Sequence, residues 1–309
     1  MNRQFTEIMK GRDDMLFKEY SIEWLDIFKS MKSYNTQRLY RNIIENHLIP
    51  EIGEMEMNNI SIPNLQQIIN KRISNPATCK HILLTLKQIF KIAKEEGVVD
   101  KNLYTFIQAP YYESNEKRAL TKEEKIAVRN IDCDSMSKVF VHILYGCGLR
   151  KGEALALTKN DIINNELVIN KSLHFVNGNP ICGNPKTHSS NRKVPIPEFL
   201  LKELISYMKT IDDKLFFNID GEYLKDSEYT KMWKYIVGKI DSNINANSKL
   251  TAHIFRHNYA TTLYYSDVSI KQAAKLMGHS NVNTILKIYA HLDSENEKLT
   301  EKINKIFYI

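Results

Sequence analysis

Arg150, Lys186, His253, Arg256, His279 and Tyr289 are the side chains of this sequence whose types, taken together, could carry one reaction. Arginines neutralise the charge spread over phosphoryl oxygens in a transition state. A tyrosine hydroxyl can form a covalent intermediate. A lysine can serve as general acid for a departing hydroxyl. Arg150 lies in Gly146-Cys-Gly-Leu-Arg-Lys-Gly-Glu153. The spacing there is GxGxxxG and no strand precedes it, so it is not a dinucleotide loop. What remains is a helix ending at glycines and a new helix beginning at Arg150. An arginine beside free backbone N–H groups suits a phosphate.

His253 and Arg256 are i, i+3 neighbours and share a helix face, where they can hold the oxygens of one phosphate. His253 and His257 have the i, i+4 spacing of a zinc pair. The zinc protease motif requires Glu after the first His, and Ile254 stands there. Arg256 would also repel a cation. Lys186, in Asn184-Pro185-Lys186-Thr187, reads by itself as a surface-loop lysine. His279 follows Gly278, which ends a helix and leaves the histidine at a corner. Tyr264, Tyr265 and Tyr308 read as half-buried packing residues. No carboxylate cluster that would hold Mg²⁺ is apparent, which disfavours a metal-dependent nuclease.

The elements that must position these residues fall into two segments. The chain has 309 residues, about right for two domains. The apolar fraction of 43% is ordinary for a globular protein. Lys and Arg number 43 against 36 Asp and Glu, a net charge of +7. That balance fits an anionic partner, of which nucleic acid is the commonest. Both segments share the excess, so folding has to make the basic surface. No apolar run reaches the roughly 18 residues of a membrane span. The N-terminus, MNRQFTEIMKGRDD, lacks the apolar core of a secretory signal. Cys79, Cys133, Cys147 and Cys182 form no CxxC pair, which argues against a cysteine zinc site and for reduced thiols in a cytosol.

Residues 1–14 read as a tail and 15–108 as a small helical bundle. Helical spacing runs over 15–31, 35–48, 63–73 and 77–95, with Pro50 expected to stop the second run and Gly97 to close the fourth. The polar faces carry Lys71, Arg72, Lys80, Lys87, Lys91 and Lys94, either as a solvated surface or as one that meets an anion. Residues 109–120 are aperiodic and read as a linker. Thr121-x-x-Glu124 has the pattern of a capping box that opens the second segment, 121–309. There the pattern gives helices over 121–131, 135–146, 150–158, 197–209, 226–240, 251–265, 269–277, 281–288 and 294–307. Between them a β-like stretch from Ile162 to Phe175, a turn at Asn177-Gly178-Asn179 and a return strand at 192–196 give one small antiparallel sheet. The expected fold is therefore mainly α: an N-terminal helical bundle and a mixed α/β domain, mostly helical.

In order and spacing, the chemical residues of the second segment resemble the catalytic domain of the tyrosine recombinases, the phage integrase family. The signature Arg, Lys, His-x-x-Arg, His, Tyr reads here as Arg150 in GCGLRKGEALAL, Lys186 in NPKTHSSNRKVPI, His253 and Arg256 in LTAHIFRHNYAT, His279 in LMGHSNVNT and Tyr289 in ILKIYAHL. The resemblance covers roughly 119–295. Residues 15–105 are similar, less specifically, to the family's core-site-binding domain. HLIPEIGEMEMNNIS is typical of integrases from mobile elements. Residues 1–14 are shorter than the arm-site domain that many such integrases carry.

The resemblance implies a site-specific recombinase acting in a bacterial cytosol on double-stranded DNA, an integrase of a prophage or conjugative transposon. A chromosome-dimer resolvase or an invertase shares the chemistry. A DNA-binding regulator built on a decayed recombinase would not retain the full set. By resemblance Tyr289 is the nucleophile and forms a 3′-phosphotyrosyl link, Arg150, Arg256 and His253 hold the non-bridging oxygens, His279 supports them, and Lys186 is the general acid. Glu153 is implied to pin local structure. Neither cofactor nor metal is implied. The implied partners are core-site DNA, three further copies in a homotetramer, and an excisionase or a host DNA-bending protein. The 294–307 helix would dock either on its own domain or on a neighbouring subunit.

Overall fold

The computed structural model describes residues 15–111, 118–184, 190–212, 214–278, 282, 283, 285, 286, 288 and 289. Lys186, His279, Tyr308 and the 294–307 stretch lie outside the described residues. The chain divides into two compact units, Met1–Asn115 and Glu116–Ile309.

The first unit is helical: α1 (Phe17–Phe28), α2 (Tyr34–Ile43), α3 (Ile49–Ile52), α4 (Ile62–Asn70) and α5 (Pro76–Glu95). Its core gathers the apolar stripes of these helices, with Phe17, Trp24, Leu48, Leu65, Leu86, Ile89 and Phe90 buried. The Phe17 and Phe90 rings stack with centroids 6.1 Å apart. Pro50 does not stop the second helical run. A π-helical turn, Ile44–Leu48, follows α2 and leads into α3. Pro50 thereby falls in the first turn of α3, where its missing N–H leaves no bond unmade. Asn75 caps α5 by accepting from the Thr78 N–H at 3.2 Å. The lysine-bearing face is not uniform: Lys71 reaches Glu51 at 2.6 Å, and the Arg72 Nε donates to His47 Nδ1 at 3.0 Å.

The second unit holds α6 (Lys122–Arg129), α7 (Ser135–Cys147), α8 (Lys151–Leu155), α9 (Glu198–Met208), α10 (Asp226–Ile244), α11 (Ala252–Tyr265) and α12 (Ile270–Met277). Thr121 and Glu124 make the expected capping box: the Glu124 N–H donates to Thr121 Oγ1 at 3.2 Å and the Thr121 N–H to Glu124 Oε2 at 2.8 Å. Helix α7 is the central element. Val139 to Leu144 are buried without interruption, so it has no solvated face in this stretch, and α6, α8, α9, α10 and α11 all pack on it. The aromatic core closes around it, with Phe140 edge-on to Phe217 at 5.1 Å.

Among the described residues the strands make three small antiparallel sheets rather than one. β1 (Ile162–Ile163), β2 (Glu166–Ile169) and β5 (Arg192–Pro195) form the first; β3 (Ser172–Val176) and β4 (Asn179–Gly183) the second; β6 (Asn218–Ile219) and β7 (Glu222–Tyr223) the third. The return strand β5 therefore pairs with β2, with Leu167 opposite Val194 and Ile169 opposite Arg192. It does not extend the β3–β4 hairpin. Each hairpin turns through two left-handed residues: Asn164-Asn165 (φ 52° and 62°), Asn177-Gly178 (50° and 81°) and Asp220-Gly221 (52° and 79°). Positive φ at both loop positions matches the twist of the flanking strands.

Candidate active site

Helix α7 ends at Gly148, whose φ of +61° and close packing both require glycine; a Cβ there would lie 2.3 Å from the Tyr259 ring. This turn delivers Arg150 to the N-cap of α8. Glu153, three residues on, accepts from the Arg150 backbone N–H at 2.9 Å and from Arg150 Nη1 at 2.7 Å. Gly152, between them, lies under β3: a Cβ at this position would be 2.2 Å from the Leu173 carbonyl oxygen. The N-terminus of α8 is thus held between a helix end and a strand.

Two more arginines converge on the same carboxylate. Arg192 on β5 donates Nη1 to Glu153 Oε1 at 3.1 Å and Nη2 to Oε2 at 2.8 Å. Arg256 on α11 has Nη1 at 4.0 Å from Glu153 Oε2 and donates it to the Gly148 carbonyl at 2.9 Å. Helix α12 ends at Gly278, with φ +60°. Its last carbonyls, which have no partner within a helix, are taken in turn by the three arginines. Arg192 Nε donates to the Leu276 oxygen at 2.7 Å, Arg256 Nη2 to the Met277 oxygen, and Arg150 Nη2 to the Gly278 oxygen at 3.2 Å. The negative end of the helix dipole reinforces these bonds.

Three guanidiniums face one carboxylate, so the cluster keeps a positive excess. The side chain of Arg150 is 40% exposed, whereas those of Arg192, Arg256 and Glu153 are almost fully buried. Arg150 is therefore the most exposed cation of this group and the first to meet an anion arriving from solvent. Burial opposes the charge on Glu153, but the hydrogen bonds and charge of Arg192, with help from Arg150, hold its carboxyl down at about 2. Burial first, and then the charge of Arg150, press Arg256 down to about 9, still protonated at neutral pH.

A carboxyl held this low adds stability that is fully present above its ordinary titration range. That stability is lost as pH falls from about 4.5 towards 2. The expected size is about 3 kcal/mol. Urea unfolding of the wild type and of Glu153→Gln between pH 6 and pH 2 checks this. The wild type should lose its advantage over the variant across that window, and parallel curves would contradict the assignment.

His253 lies on α11 one turn before Arg256 and is exposed. Tyr289 packs with Ala260, Leu263, Ala273, Ala274, Met277 and Ile285, in a cluster separate from the central core. It is 5% exposed. Its hydroxyl donates to the Val268 carbonyl at 3.2 Å, and its ring meets Tyr264 edge-on at 5.0 Å. Burial pushes the phenol pKa up. The structure thus brings Arg150 and Arg256 together and engages Tyr289 elsewhere. Tyr265, expected to be half-buried, is 62% exposed; it lies at the last position of α11. Among the described residues no group of three His, Cys, Asp or Glu side chains could hold a metal ion. Arg192 is not among the residues that type and spacing single out in the sequence. Its signal was the alternation of β5, where an arginine stands in phase with the buried Val194.

Residues 113–296 match the phage integrase family, and residues 16–73 match the phage integrase N-terminal SAM-like domain. The chain is 27% identical to the tyrosine recombinase XerA of Thermococcus onnurineus over 286 residues, covering 89% of this chain and 91% of XerA. It superposes on the Tn1549 transposon integrase, solved with a circular intermediate DNA, with a TM-score of 0.76 at 21% identity, covering 91% and 99% of the two chains. It also matches lambda integrase, solved as a tetramer on a Holliday junction, with a TM-score of 0.65 at 17% identity, covering 91% and 82%. The chain belongs to the phage integrase family, the tyrosine recombinases, enzymes that cleave and rejoin DNA strands. Among the described residues no helix is long and apolar enough to cross a membrane.

Proposed function

We propose that this protein is a site-specific recombinase that integrates and excises a mobile genetic element, working in a bacterial cytosol as a homotetramer on core-site DNA. The observation that carries the reading is the cluster in which Arg150 and Arg256 share one end of α12 around a charged Glu153, leaving an excess positive charge with one solvent-facing arginine. Such a cluster suits a scissile phosphate. Arg150, Arg256 and His253 hold the non-bridging oxygens, and His279 supports them. The Tyr289 hydroxyl gives up its proton to water, and its oxygen bonds to phosphorus. The bond from phosphorus to the 5′-oxygen breaks, and Lys186 protonates that oxygen. The energy of the broken bond is kept in the 3′-phosphotyrosine, so a 5′-hydroxyl from another strand can reverse the step. Recombination needs four such sites, which is why four copies act together. Excisionase or a host DNA-bending protein would set direction.

All charge stabilisation in this scheme comes from side chains. The expected result is that a nicked duplex carrying the element's junction traps a covalent protein–DNA adduct in EDTA, with no nucleotide present. A strict Mg²⁺ requirement for cleavage would overturn the scheme. Absence of any adduct would favour a DNA-binding regulator.

Similarity to XerA along 91% of its length supports a second reading with the same chemistry, chromosome-dimer resolution or inversion. Deleting the gene separates the two. Loss of element excision with normal chromosome partition supports the integrase.

A further inference from the structure

Arg192 has no part in the chemistry proposed above, yet it is the most completely engaged side chain of the site. It is 1% exposed. Nε donates to the Leu276 oxygen at 2.7 Å, Nη1 to Glu153 Oε1 and the Ser190 oxygen, both at 3.1 Å, and Nη2 to Glu153 Oε2 at 2.8 Å. Four of its five N–H groups are taken within the protein, against two for Arg256, so it has little left to offer a phosphate. It does touch both groups that hold Arg150. One is Glu153. The other is the Gly278 turn, where a Cβ would lie 3.0 Å from Arg192 Nη1 and 3.2 Å from its Cδ.

The geometry points to Arg192 as a positioning residue for DNA cleavage: it locks Glu153 to the end of α12 and thereby holds Arg150 in the orientation that meets the scissile phosphate. The inference rests on the reading of Arg150 given above. Arg150 is 40% exposed, and a free arginine samples many rotamers. Its fork is fixed by Glu153 Oε1 and the Gly278 carbonyl. Arg150 Nη1 shares Glu153 Oε1 with Arg192, which binds both carboxylate oxygens in the planar bidentate geometry that only arginine supplies. Lysine at 192 keeps the charge and can bind one of them. Glu153 is then free to swing, and Arg150 with it. Misplacement of a catalytic group by about 1 Å costs up to about 10²-fold in rate.

The test is a mutant cycle of Arg192→Lys, Glu153→Gln and the double variant. Each is assayed by single-turnover cleavage of the nicked duplex at saturating protein and by DNA affinity. The expected result for Arg192→Lys is a rate constant lower by about tenfold or more with affinity changed by less than about threefold. The double variant should be no slower than the slower single, because both act through one connection. The acid limb of the rate–pH profile should also move up towards the ordinary carboxylate range in Arg192→Lys and vanish in Glu153→Gln.

A merely structural arginine predicts something else: fewer active molecules, seen as a smaller amplitude with an unchanged rate constant and pH profile. That result overturns the inference, as does multiplicative slowing in the double variant. If Arg192→Lys loses its helical circular dichroism, Arg192→Gln takes its place: a lowered rate constant with retained affinity supports the inference, and a wild-type rate constant overturns it. Arg150→Ala is run beside them. Wild-type cleavage by that variant overturns the reading of Arg150 and this inference with it. A dead Arg150→Ala with a fully active Arg192→Lys overturns this inference alone.

Discussion

Tyr289→Phe should abolish cleavage, by about 10⁴-fold or more, while DNA affinity stays within about threefold of the wild type. One oxygen is removed, and it is the oxygen proposed to bond to phosphorus. The phosphate contacts proposed for Arg150, Arg256 and His253 are untouched. The fold should survive as well, since the lost hydrogen bond to Val268 is a single neutral one worth about 1 kcal/mol. Tyr264→Phe keeps the ring that packs on Tyr289 and should cleave normally, as should Tyr265→Phe and Tyr308→Phe. The measurement is adduct formation on the nicked duplex beside a gel-shift titration. Cleavage by Tyr289→Phe, with loss in one of the other three, would move the nucleophile to that residue.

Lys186→Ala should slow cleavage by about 10²–10⁴-fold, the range for losing a general acid. Lys186 belongs to the connection from β4 to β5, and those strands lie in different sheets, β5 in the one that carries Arg192. A substrate with sulfur at the 5′-bridging position has a leaving group that needs no proton. It should restore cleavage by Lys186→Ala and leave Arg150→Ala slow, because the arginine acts on the non-bridging oxygens. Equal rescue of both variants, or of neither, would mean that the acid lies elsewhere, with His257 and Lys151 next in line. A lysine that only faces solvent predicts no slowing.

The legibility of this protein follows the range of the interactions. Contacts within one turn were readable: the Thr121–Glu124 box, the Asn177-Gly178 turn and the helix that stops at Gly148 are set by neighbours in sequence. The β6–β7 hairpin was missed although Asp220-Gly221 is a strong turn signal, because strands of two residues show no alternation. Pro50 was misread because a π-helical turn re-registers the backbone, and nothing in the local sequence announces that. The arginine pair was found from residue type and spacing. The carbonyls that bind the three arginines were not, since the end of α12 meets β5, α8 and α11 only in three dimensions. For the same reason the sequence placed Tyr289 with the arginines by chemistry, while packing puts its hydroxyl on Val268.

Anchoring the end of α12 on the arginines also makes it the fixed point of a tether. From Gly278 to Tyr289 is about eleven residues, a contour of about 36–40 Å fully extended and of about 16 Å if helical. The Tyr289 backbone therefore never strays beyond that radius from Gly278, whose carbonyl Arg150 holds, whatever the protein concentration. Joining the two groups by so few residues sets a local concentration in the millimolar range. To act as the proposed nucleophile the tyrosine has to leave Val268 and the edge of Tyr264, at a cost of about 1–3 kcal/mol. That corresponds to roughly one molecule in five to one in 150 with the hydroxyl released at any instant. With Tyr289 as the proposed nucleophile, a measured cleavage rate is accordingly a product of two factors, the released fraction and the rate of chemistry within it.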